Sequence, residues 1–565
     1  MRISARAQKW YVADFETTGI NEYERTGRTR VWLYAVCDSD SNIVNYGDSI
    51  DKFLEWCAEN HGSLIYFHNL KFDGSFLMSW LLEHNFQHKD KLASHSQQGF
   101  TTLIGDMGEF YQMKINFKAN CQVTFYDSLK LIPMSVREIA KAFKLPYEKG
   151  KIDYSDYTIN EETLDYVFRD VKIVAQALKF FRGQGHNRMT IGSNSYHSYK
   201  DSNPMFNRLF PRLEKAFIDH WRHAYRGGRS QVNPLYAGKI LHNVSRYDLN
   251  SMYPSIMAYK FLPYGSPIAC SSPGKYRFEL YKVHIHFRLK EGHLPCILRT
   301  GSLFSKAGDT YYVNTEGIIE MDISSLDMVL LKRHYDIYYI KYIEIVGFKT
   351  VAGLFADWVK DLYEKKSNSE GGLRLVYKLL LNSLYGKFGS KTSGRNKIPM
   401  LNSEGALVFT LSDEKNMGEY YLPVAIAITS WAHVIIDNAI RDTGVENFVY
   451  CDTDSVHTLG TLPDNIVDNK ELGKFKLEGV EKTCKYVRQK TYIYYDDKWN
   501  ITCAGMPYGA RDWLVQKYGD DVINIFDYGL EVSMESEGIT PDQLRLLPKR
   551  VPGGTILVPS PFSIN

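Results

Sequence analysis

Tyr450-Cys451-Asp452-Thr453-Asp454-Ser455 is a stretch in which a single residue separates two carboxylates. The strand-like runs Phe448-Val449-Tyr450 and Val456-His457-Thr458 flank it, and this pattern predicts a β-hairpin with both acids at its turn. Two carboxylates held this close repel each other unless a cation relieves the repulsion. The stretch therefore predicts a metal site carried by a sheet.

A third acid, Asp248, follows the strand-like run 242–247 and precedes Leu249-Asn250-Ser251-Met252-Tyr253-Pro254. Asp248 and Asp454 could together bracket two metal ions. Such ions would lower the pKa of a hydroxyl nucleophile and neutralise a triphosphate.

A cationic helix lies between these acids in the sequence. Ser367 and Glu370 have the spacing of a capping box, which predicts a helix opening there and continuing to about Phe388. Polar and apolar residues fall on opposite faces of this helix: Arg374, Lys378, Asn382 and Tyr385 on one, and Leu373, Val376, Tyr377, Leu380 and Leu384 on the other. A charged face of this kind is usually only solvated.

A second set of acids lies near the N-terminus. Asp14 and Glu16 share one face of a predicted strand, and Asp73 follows the strand predicted at 64–68. Tyr166 and Asp170 are four residues apart on a helix predicted over 160–181, on a face that the helical wheel places away from the apolar stripe. Each piece alone is commonplace, but four carboxylates and a tyrosine could hold two Mg²⁺ or Mn²⁺ ions against a phosphodiester.

The whole chain has 565 residues, which indicates several domains, and a net charge of +3, which does not require a basic groove. Its eight cysteines form no CxxC pair, so neither a zinc site nor a disulfide framework is indicated. The N-terminus lacks the apolar stretch of a signal peptide, and no apolar run looks long enough to span a bilayer. These features predict a cytoplasmic protein without a membrane segment.

The N-terminal acids resemble the three exonuclease motifs of proofreading DNA polymerases, which have a ribonuclease-H-like fold. The matching motifs are Asp14-x-Glu16, Asn69-x-x-Phe72-Asp73 and Tyr166-x-x-x-Asp170. The resemblance implies that Asp14, Glu16, Asp73 and Asp170 bind metal and that Tyr166 and Lys149 assist near the scissile phosphate. It also implies that the frayed single strand is held by Thr17, Asn69, Phe72, Ser128 and Leu129.

The remaining motifs resemble those of family-B DNA polymerases: 248–254, 450–455 and Lys378-x-x-x-Asn382-Ser383-Leu384-Tyr385-Gly386-Lys387. The resemblance implies metal binding by Asp248, Leu249 and Asp454, with Asp452 acting more in charge balance. Lys366 and Lys378 would bind the incoming dNTP, Asn382 and Tyr385 would form the base-pair pocket, and Tyr253 would exclude a 2′ hydroxyl. Lys490 and Tyr492 would contact the primer strand. Cellular members usually carry Gly where Cys451 stands.

Tyr225-Arg226-Gly227-Gly228 resembles the DNA-binding linker motif of protein-primed family-B polymerases of small tailed bacteriophages, the phi29 type. The early exonuclease motif and two inserts favour the same branch. The resemblance implies a terminal protein as primer, processive strand displacement, a linear viral genome and a monomer acting in the cytoplasm of an infected bacterium.

The expected fold is multidomain, α/β and α+β: a ribonuclease-H-like 3′-5′ exonuclease domain (1–190) followed by a right-hand polymerase domain. That domain would comprise the palm (191–260 and 421–518), insert 1 (261–353), the fingers (354–388), insert 2 (389–420) and the thumb (519–565). Three alternatives remain open at this point: a nucleic-acid-primed family-B polymerase, a stand-alone exonuclease with a degenerate polymerase region, and a non-catalytic DNA-binding module.

Overall fold

The computed structural model describes residues 8–93, 95–145, 156–299, 310–418 and 420–565. Its N-terminal part is a mixed sheet in the order β3-β2-β1-β4-β7-β6-β5, with β1, β4 and β7 mutually parallel. The strands are β1 (Trp10–Thr17), β2 (Val31–Asp38), β3 (Ile43–Gly47), β4 (Leu64–Phe67), β5 (Gly99–Ile104), β6 (Phe110–Lys118) and β7 (Cys121–Asp127).

Helices cover both faces of this sheet because alternate strand residues point to opposite sides. The helices are α1 (Ile20–Thr26), α2 (Ile50–Glu59), α3 (Leu70–Glu83), α4 (Val136–Ala142) and α5 (Glu161–Gly183). Val12 of β1 packs towards α5, whereas its neighbour Ala13 packs towards α2 and α3. The Asn160 side chain accepts a hydrogen bond from the Thr163 amide and so caps α5.

Short helices lead from this region into the central sheet, here called the palm sheet. They are α6 (Ile191–Ser202), α7 (Phe206–Leu209) and α8 (Lys215–Trp221), followed by β8 (Ser230–Val232), β9 (Ile240–Leu249) and α9 (Met252–Tyr259).

The region predicted as insert 1 forms its own sheet in the order β10-β13-β11-β12, which confirms the β-rich character expected there. Its elements are β10 (Phe261–Ala269), β11 (Phe278–Leu289), β12 (Ile319–Ser324), α10 (Ser325–His334) and β13 (Tyr335–Ala352). Helix α10 packs on β11 and on the long helix of the palm introduced below.

Two helices then form the region predicted as the fingers, α11 (Ala356–Ser367) and α12 (Gly371–Phe388). The predicted capping box is wrong. Ser367 is the last residue of α11, and its hydroxyl donates to the Tyr363 carbonyl rather than capping α12. Helix α12 begins after Glu370 without a side-chain cap, and its first residue, Gly371, has a positive φ of 57°.

The second insert is a pair of small ribbons, β14 (Ser393–Gly394) with β17 (Lys415–Asn416) and β15 (Lys397–Leu401) with β16 (Leu407–Leu411). The palm resumes with α13 (Leu422–Thr443), β18 (Phe448–Asp452), β19 (Ser455–Thr458), β20 (Phe475–Arg488), β21 (Thr491–Tyr495) and β22 (Trp499–Cys503). Its sheet has the order β22-β21-β20-β9-β19-β18-β8 and is antiparallel. The hairpin predicted over 448–458 is confirmed.

The C-terminal region comprises α14 (Tyr508–Tyr518), α15 (Val522–Ile525), β23 (Glu531–Val532), β24 (Arg545–Val551), β25 (Gly554–Ser560) and β26 (Phe562–Ser563). The secondary structure changes near the proposed domain limits, but those limits themselves stay predictions.

Helix α13 corrects the expectation that no segment is long and apolar enough to cross a membrane. By length and composition it would qualify, but 78% of its most apolar window is buried inside the protein. It packs against α9, α10 and β19 as the core helix of the palm. Its apolar character is therefore accounted for by packing.

Candidate active sites

The acidic turn joins β18 to β19, with Asp452 paired to Ser455. Thr453 forms its tip in the left-handed region, at φ 60°. The Thr453 amide donates to the Arg229 carbonyl at 2.7 Å, which ties the tip to the chain entering β8. Two distant segments, the β9 strand and the residues before β8, thus border the turn.

Asp248 lies beside this turn because β9 pairs with β19. Ser455 is opposite Asp248, and the Leu249 amide donates to the Asp454 carbonyl at 2.8 Å. The structure therefore brings together two acids that are 206 positions apart in the sequence. The Leu249 side chain is a buried hydrocarbon without donor atoms, so only the main-chain oxygen of this residue is a possible metal ligand.

The carboxyl groups at this site resist ionisation. The pKa of Asp248 is raised to about 7, first by burial and then by the charges of Asp454 and Glu478, against the opposing effect of Lys476 and Lys378. Burial and the charge of Asp452 also raise the pKa of Asp454. Such a pair becomes fully anionic most readily when a cation neutralises it, so the donor chemistry fits a divalent metal.

Asp452 has a different environment. Lys490 Nζ lies 2.7 Å from one of its carboxylate oxygens and 2.9 Å from the other. Lys490 was predicted to contact the primer strand, and here it neutralises Asp452. Tyr492, the other residue predicted for the primer, is half-buried and stacks on Tyr486 with ring centroids 5.1 Å apart.

The α12 helix presents the predicted polar face. Arg374, Lys378 and Asn382 are exposed, while Val376, Leu380 and Leu384 are buried, as the periodicity predicts.

Lys366 of α11 joins the basic group on α12. Its Nζ donates to Ser251 Oγ at 3.3 Å, and burial followed by the charges of Arg374 and Lys378 lowers its pKa to about 8. A group of three cations of this kind favours the binding of a polyanion.

Tyr253 and Tyr385 connect the palm to α12. Their rings stack with centroids 4.0 Å apart and planes 29° apart, and a hydrogen bond joins the two side chains. Burial raises the pKa of both hydroxyls. The pair forms an aromatic wall that joins α9, the helix after Asp248, to α12.

The linker motif directly borders the acidic turn. A Cβ on Gly228 would lie 2.7 Å from Thr453 Oγ1, so only glycine permits this approach. Arg226 is buried and donates to the carbonyls of Leu298 and Asp322 in insert 1, while Gly227 is exposed. Tyr225 is half-buried. Arg226 therefore anchors the motif rather than facing solvent.

The N-terminal acids lie close together where β1 meets the first turn of α3. Asp73 is 4% exposed, and the Phe15 amide, between Asp14 and Glu16, donates to its carboxyl group. Burial, then the charge of Asp14 and then that of Glu16, raises the pKa of Asp73 well above its usual value. These three carboxyls thus share one site, which again fits a divalent cation.

Helix α5 carries the remaining two residues of this set. Asp170 is half-buried and close enough to His68 to raise the pKa of its imidazole, although burial lowers that pKa more. Tyr166 is buried at 7% exposure, so the predicted position away from the core is wrong. Tyr166 is buried because the face of α5 that packs on the sheet is wider than the apolar stripe of the helix.

The residues predicted to hold a single strand have varied surroundings. Asn69 is exposed in a left-handed conformation before α3, and Thr17, Phe72 and Leu129 are half-buried. Ser128 is fully buried and donates to the Phe67 carbonyl, which makes direct contact with DNA impossible in this conformation. Lys149 lies outside the described residues.

His68 and Asp127 are supporting residues that sequence reasoning missed. His68 contacts Ser128 Oγ at 3.0 Å and the Met134 carbonyl at 2.7 Å, and Asp127 accepts from the amides of Asn69 and Leu129, each at 3.0 Å. The signal for these two residues was their position at the ends of strand-like runs, which the structure shows to be the adjacent strands β4 and β7. Within the described part of the chain, no three acidic, His or Cys side chains are arranged as they stand so that they could hold a metal ion.

Comparison with known proteins identifies the class. A family model described as DNA polymerase type B, organellar and viral, matches residues 55–158 and 154–471. The DNA polymerase of Bacillus phage phi29 is 36% identical over 99% of this chain and 99% of that protein. The DNA polymerase of Streptococcus phage Cp-1 is 32% identical over 86% of this chain and 88% of its own.

Solved structures agree with this result. Phi29 DNA polymerase complexed with primer-template DNA matches with a TM-score of 0.87 at 33% identity, covering 99% of this chain and 100% of that one. The same enzyme complexed with primer-template DNA and incoming nucleotide substrates matches with a TM-score of 0.86 at 34% identity, with the same coverage. The chain belongs to the organellar and viral type-B DNA polymerases and is similar over its length to the phi29-type phage enzymes. It is a template-directed DNA polymerase, with the exonuclease-type region preceding palm, fingers and thumb.

Proposed function

We propose that this polymerase also proofreads, with Asp14, Glu16, Asp73 and Asp170 forming a separate site that hydrolyses mispaired nucleotides from the primer 3′ end. The supporting observation is the buried Asp73 carboxyl, whose pKa is raised by burial and by two neighbouring acids. Keeping three carboxyls together is costly unless a cation compensates them. A site of this kind is suited to phosphodiester hydrolysis.

At each site, two Mg²⁺ or Mn²⁺ ions would supply Lewis-acid stabilisation of the attacking and leaving oxygens. For synthesis, Asp248, Asp454 and the Leu249 carbonyl would hold them. Lys366 and Lys378 would bind the triphosphate of the dNTP through their charges. At the hydrolytic site, the Tyr166 hydroxyl would orient the attacking water.

The remaining nucleotide contacts would come from α12 and α9. Asn382 and Tyr385 would shape the base-pair pocket, and the ring of Tyr253 would exclude a ribose 2′ hydroxyl. Tyr225, Gly227 and Gly228 would contact DNA between the two sites, with Arg226 anchoring that segment. Lys490 and Tyr492 would support the primer end.

A cavity of about 340 Å³ supports a path for a frayed strand to the hydrolytic site. Asn69 and Phe72 line it on one side, Phe409 of insert 2 and Leu546 and Arg550 of the C-terminal region on the other. Aromatic and cationic groups of this kind favour single-stranded DNA. A solved structure of phi29 DNA polymerase complexed with single-stranded DNA, similar over 99% of this chain, is in keeping with this path.

The two-site proposal predicts separable defects. Asp454→Ala should abolish nucleotide incorporation and leave digestion of single-stranded DNA nearly intact, whereas Asp14→Ala should do the reverse. Primer extension with labelled dNTPs and degradation of a labelled oligonucleotide measure the two activities on the same preparations. Loss of both activities in either folded variant would refute two independent sites.

We further propose that synthesis starts on a terminal protein, followed by processive strand displacement on a linear viral genome in the bacterial cytoplasm. The linker motif at 225–228, the two inserts and the similarity to phage polymerases support this proposal. Incubation with the terminal protein encoded beside it, labelled dATP and Mg²⁺ should yield a covalent protein–nucleotide adduct. Failure with every candidate partner would favour nucleic-acid priming.

A further inference from the structure

A buried ion cluster lies behind the polymerase site, centred on Asp437 of α13. Its carboxylate lies 3.2 Å from Arg229 Nη1, 2.6 Å from Arg333 Nη1 and 2.9 Å from His334 Nε2. Asp437 is 2% exposed and the Arg229 side chain 1% exposed, so water screens this pair little. Burial alone would raise the pKa of Asp437, but His334, Arg229 and Arg333 lower it to about 2, so it is an anion.

Arg229 connects this cluster to the acidic turn. Its guanidinium contacts Asp437 and donates to Gln231 Oε1 at 3.0 Å, while its backbone carbonyl accepts the Thr453 amide at 2.7 Å. The next two residues continue the connection, since Ser230 pairs with Asp452 and Gln231 with Cys451. Arg229 is thus held in the core by its side chain, while its main chain holds the acidic turn in place.

The other side of the cluster belongs to insert 1. Arg333 and His334 end α10, which follows β12 of the insert sheet. A third insert residue contacts the start of β8 directly, because the Tyr311 hydroxyl contacts both the amide and the carbonyl of Ser230, each at 2.9 Å. The insert therefore supports β8 from the side opposite the catalytic turn.

We propose that Asp437 is a positioning residue for nucleotidyl transfer, which sets the acidic turn through Arg229 and links its placement to insert 1 through Arg333. None of these side chains belongs to the set that would bind metal or dNTP. A buried charge pair is directional, and loss of one partner leaves the other uncompensated and displaced. A small displacement of Arg229 would move Thr453 and, with it, Asp454 relative to Asp248.

The first test is Asp437→Asn, which keeps the size of the side chain and removes its charge. We expect kcat for incorporation to fall about tenfold to a hundredfold, as for misplaced catalytic groups, with the KM for dNTP changed by less than about twofold because Lys366 and Lys378 are untouched. Hydrogen–deuterium exchange should quicken in a peptide spanning 450–455 and change little in β20 and β21. This exchange pattern reports on the turn independently of activity.

Matched variants separate positioning from general stability. Val283→Ala, in the core of the insert sheet, should lower the melting temperature and leave kcat and the 450–455 exchange unchanged. Arg333→Met should reduce kcat by a smaller factor than Asp437→Asn, and Arg333→Lys should restore most of it. Arg333 is 28% exposed, so these two variants provide the test if Asp437→Asn does not fold.

Two results would overturn the proposal. One is an unchanged kcat in folded Asp437→Asn or, if that variant is unfolded, in Arg333→Met. The other is a loss of kcat in Val283→Ala as large as that in Asp437→Asn for the same fall in melting temperature, together with faster hydrogen exchange throughout the palm sheet.

Discussion

The ammonium group of Lys490 lies 2.7 Å from a carboxylate oxygen of Asp452. Asp452, the first acid of the turn, is therefore already neutralised within the chain, whereas the neighbouring Asp454 and Asp248 have raised pKa values. This difference assigns unequal roles to two acids that stand one residue apart. It favours Asp248 and Asp454 as direct metal ligands and Asp452 as part of a charge-balancing pair.

Asp452→Asn should therefore be milder than Asp454→Asn. We expect the first to slow incorporation by about tenfold to a hundredfold, through altered electrostatics, and the second by at least about a thousandfold, through loss of a metal ligand. Single-turnover primer extension measures both rates, with thermal melting as the control for folding. Equal losses would contradict the unequal roles.

The pKa of Asp248 predicts a pH dependence. Its carboxyl is protonated below about 7 and must lose the proton to hold a cation, so the Mg²⁺ concentration for half-maximal incorporation should rise as the pH falls through 7. In the metal-free protein, the same raised pKa makes folding less favourable as the pH rises from 3.8 towards about 7.

Two variants on β20 should shift the pH midpoint of Mg²⁺-dependent incorporation in opposite directions. Lys476→Gln removes a charge that lowers the pKa of Asp248, so the midpoint should rise, whereas Glu478→Gln removes one that raises it, so the midpoint should fall. Mg²⁺ titrations of incorporation across pH 6 to 8 provide the measurement. Shifts in the same direction would exclude Asp248 as the titrating group.

The paired glycines before β8 offer a steric test. Gly228→Ala should impair incorporation, because its Cβ would lie 2.7 Å from Thr453 Oγ1 and 3.0 Å from Thr453 Cγ2 and would push the turn away. Gly183→Ala, at the end of α5, is the control, since nothing lies within 4 Å of its added Cβ and the residue is remote from the acidic turn in the sequence. Adding Thr453→Ala to Gly228→Ala should recover part of the rate, and no recovery would argue against this contact as the cause.

The Tyr253–Tyr385 stack predicts sugar discrimination. Tyr253→Val should open the wall and reduce the preference for dNTP over rNTP by about tenfold to a hundredfold, while Tyr253→Phe should retain most of it because the ring remains. Ratios of kcat/KM for the two nucleotides measure the effect. An unchanged ratio in Tyr253→Val would assign the discrimination to another residue.

Much of the fold could be predicted from local pattern. The hairpin at 448–458, the α5 helix and the two faces of α12 follow from periodicities that neighbouring residues determine. The start of α12 was misplaced because Ser367 and Glu370 have a capping spacing, yet Ser367 bonds backward to Tyr363. Tyr166 was misplaced because a helical wheel does not show how wide a face the sheet covers.

By itself, the sequence determined the class of protein. The spacings of the acids and the polar face of α12 are local features, and their order along the chain is specific to that class. The resemblance already implied charge balance for Asp452, but only the tertiary structure showed that Lys490 is the residue that balances it. The pairing of β9 with β19 brings Asp248 to Asp454, and packing between distant segments brings Lys490 to Asp452 and Arg229 between Asp437 and Thr453. Those contacts depend on register and packing, which no local pattern encodes.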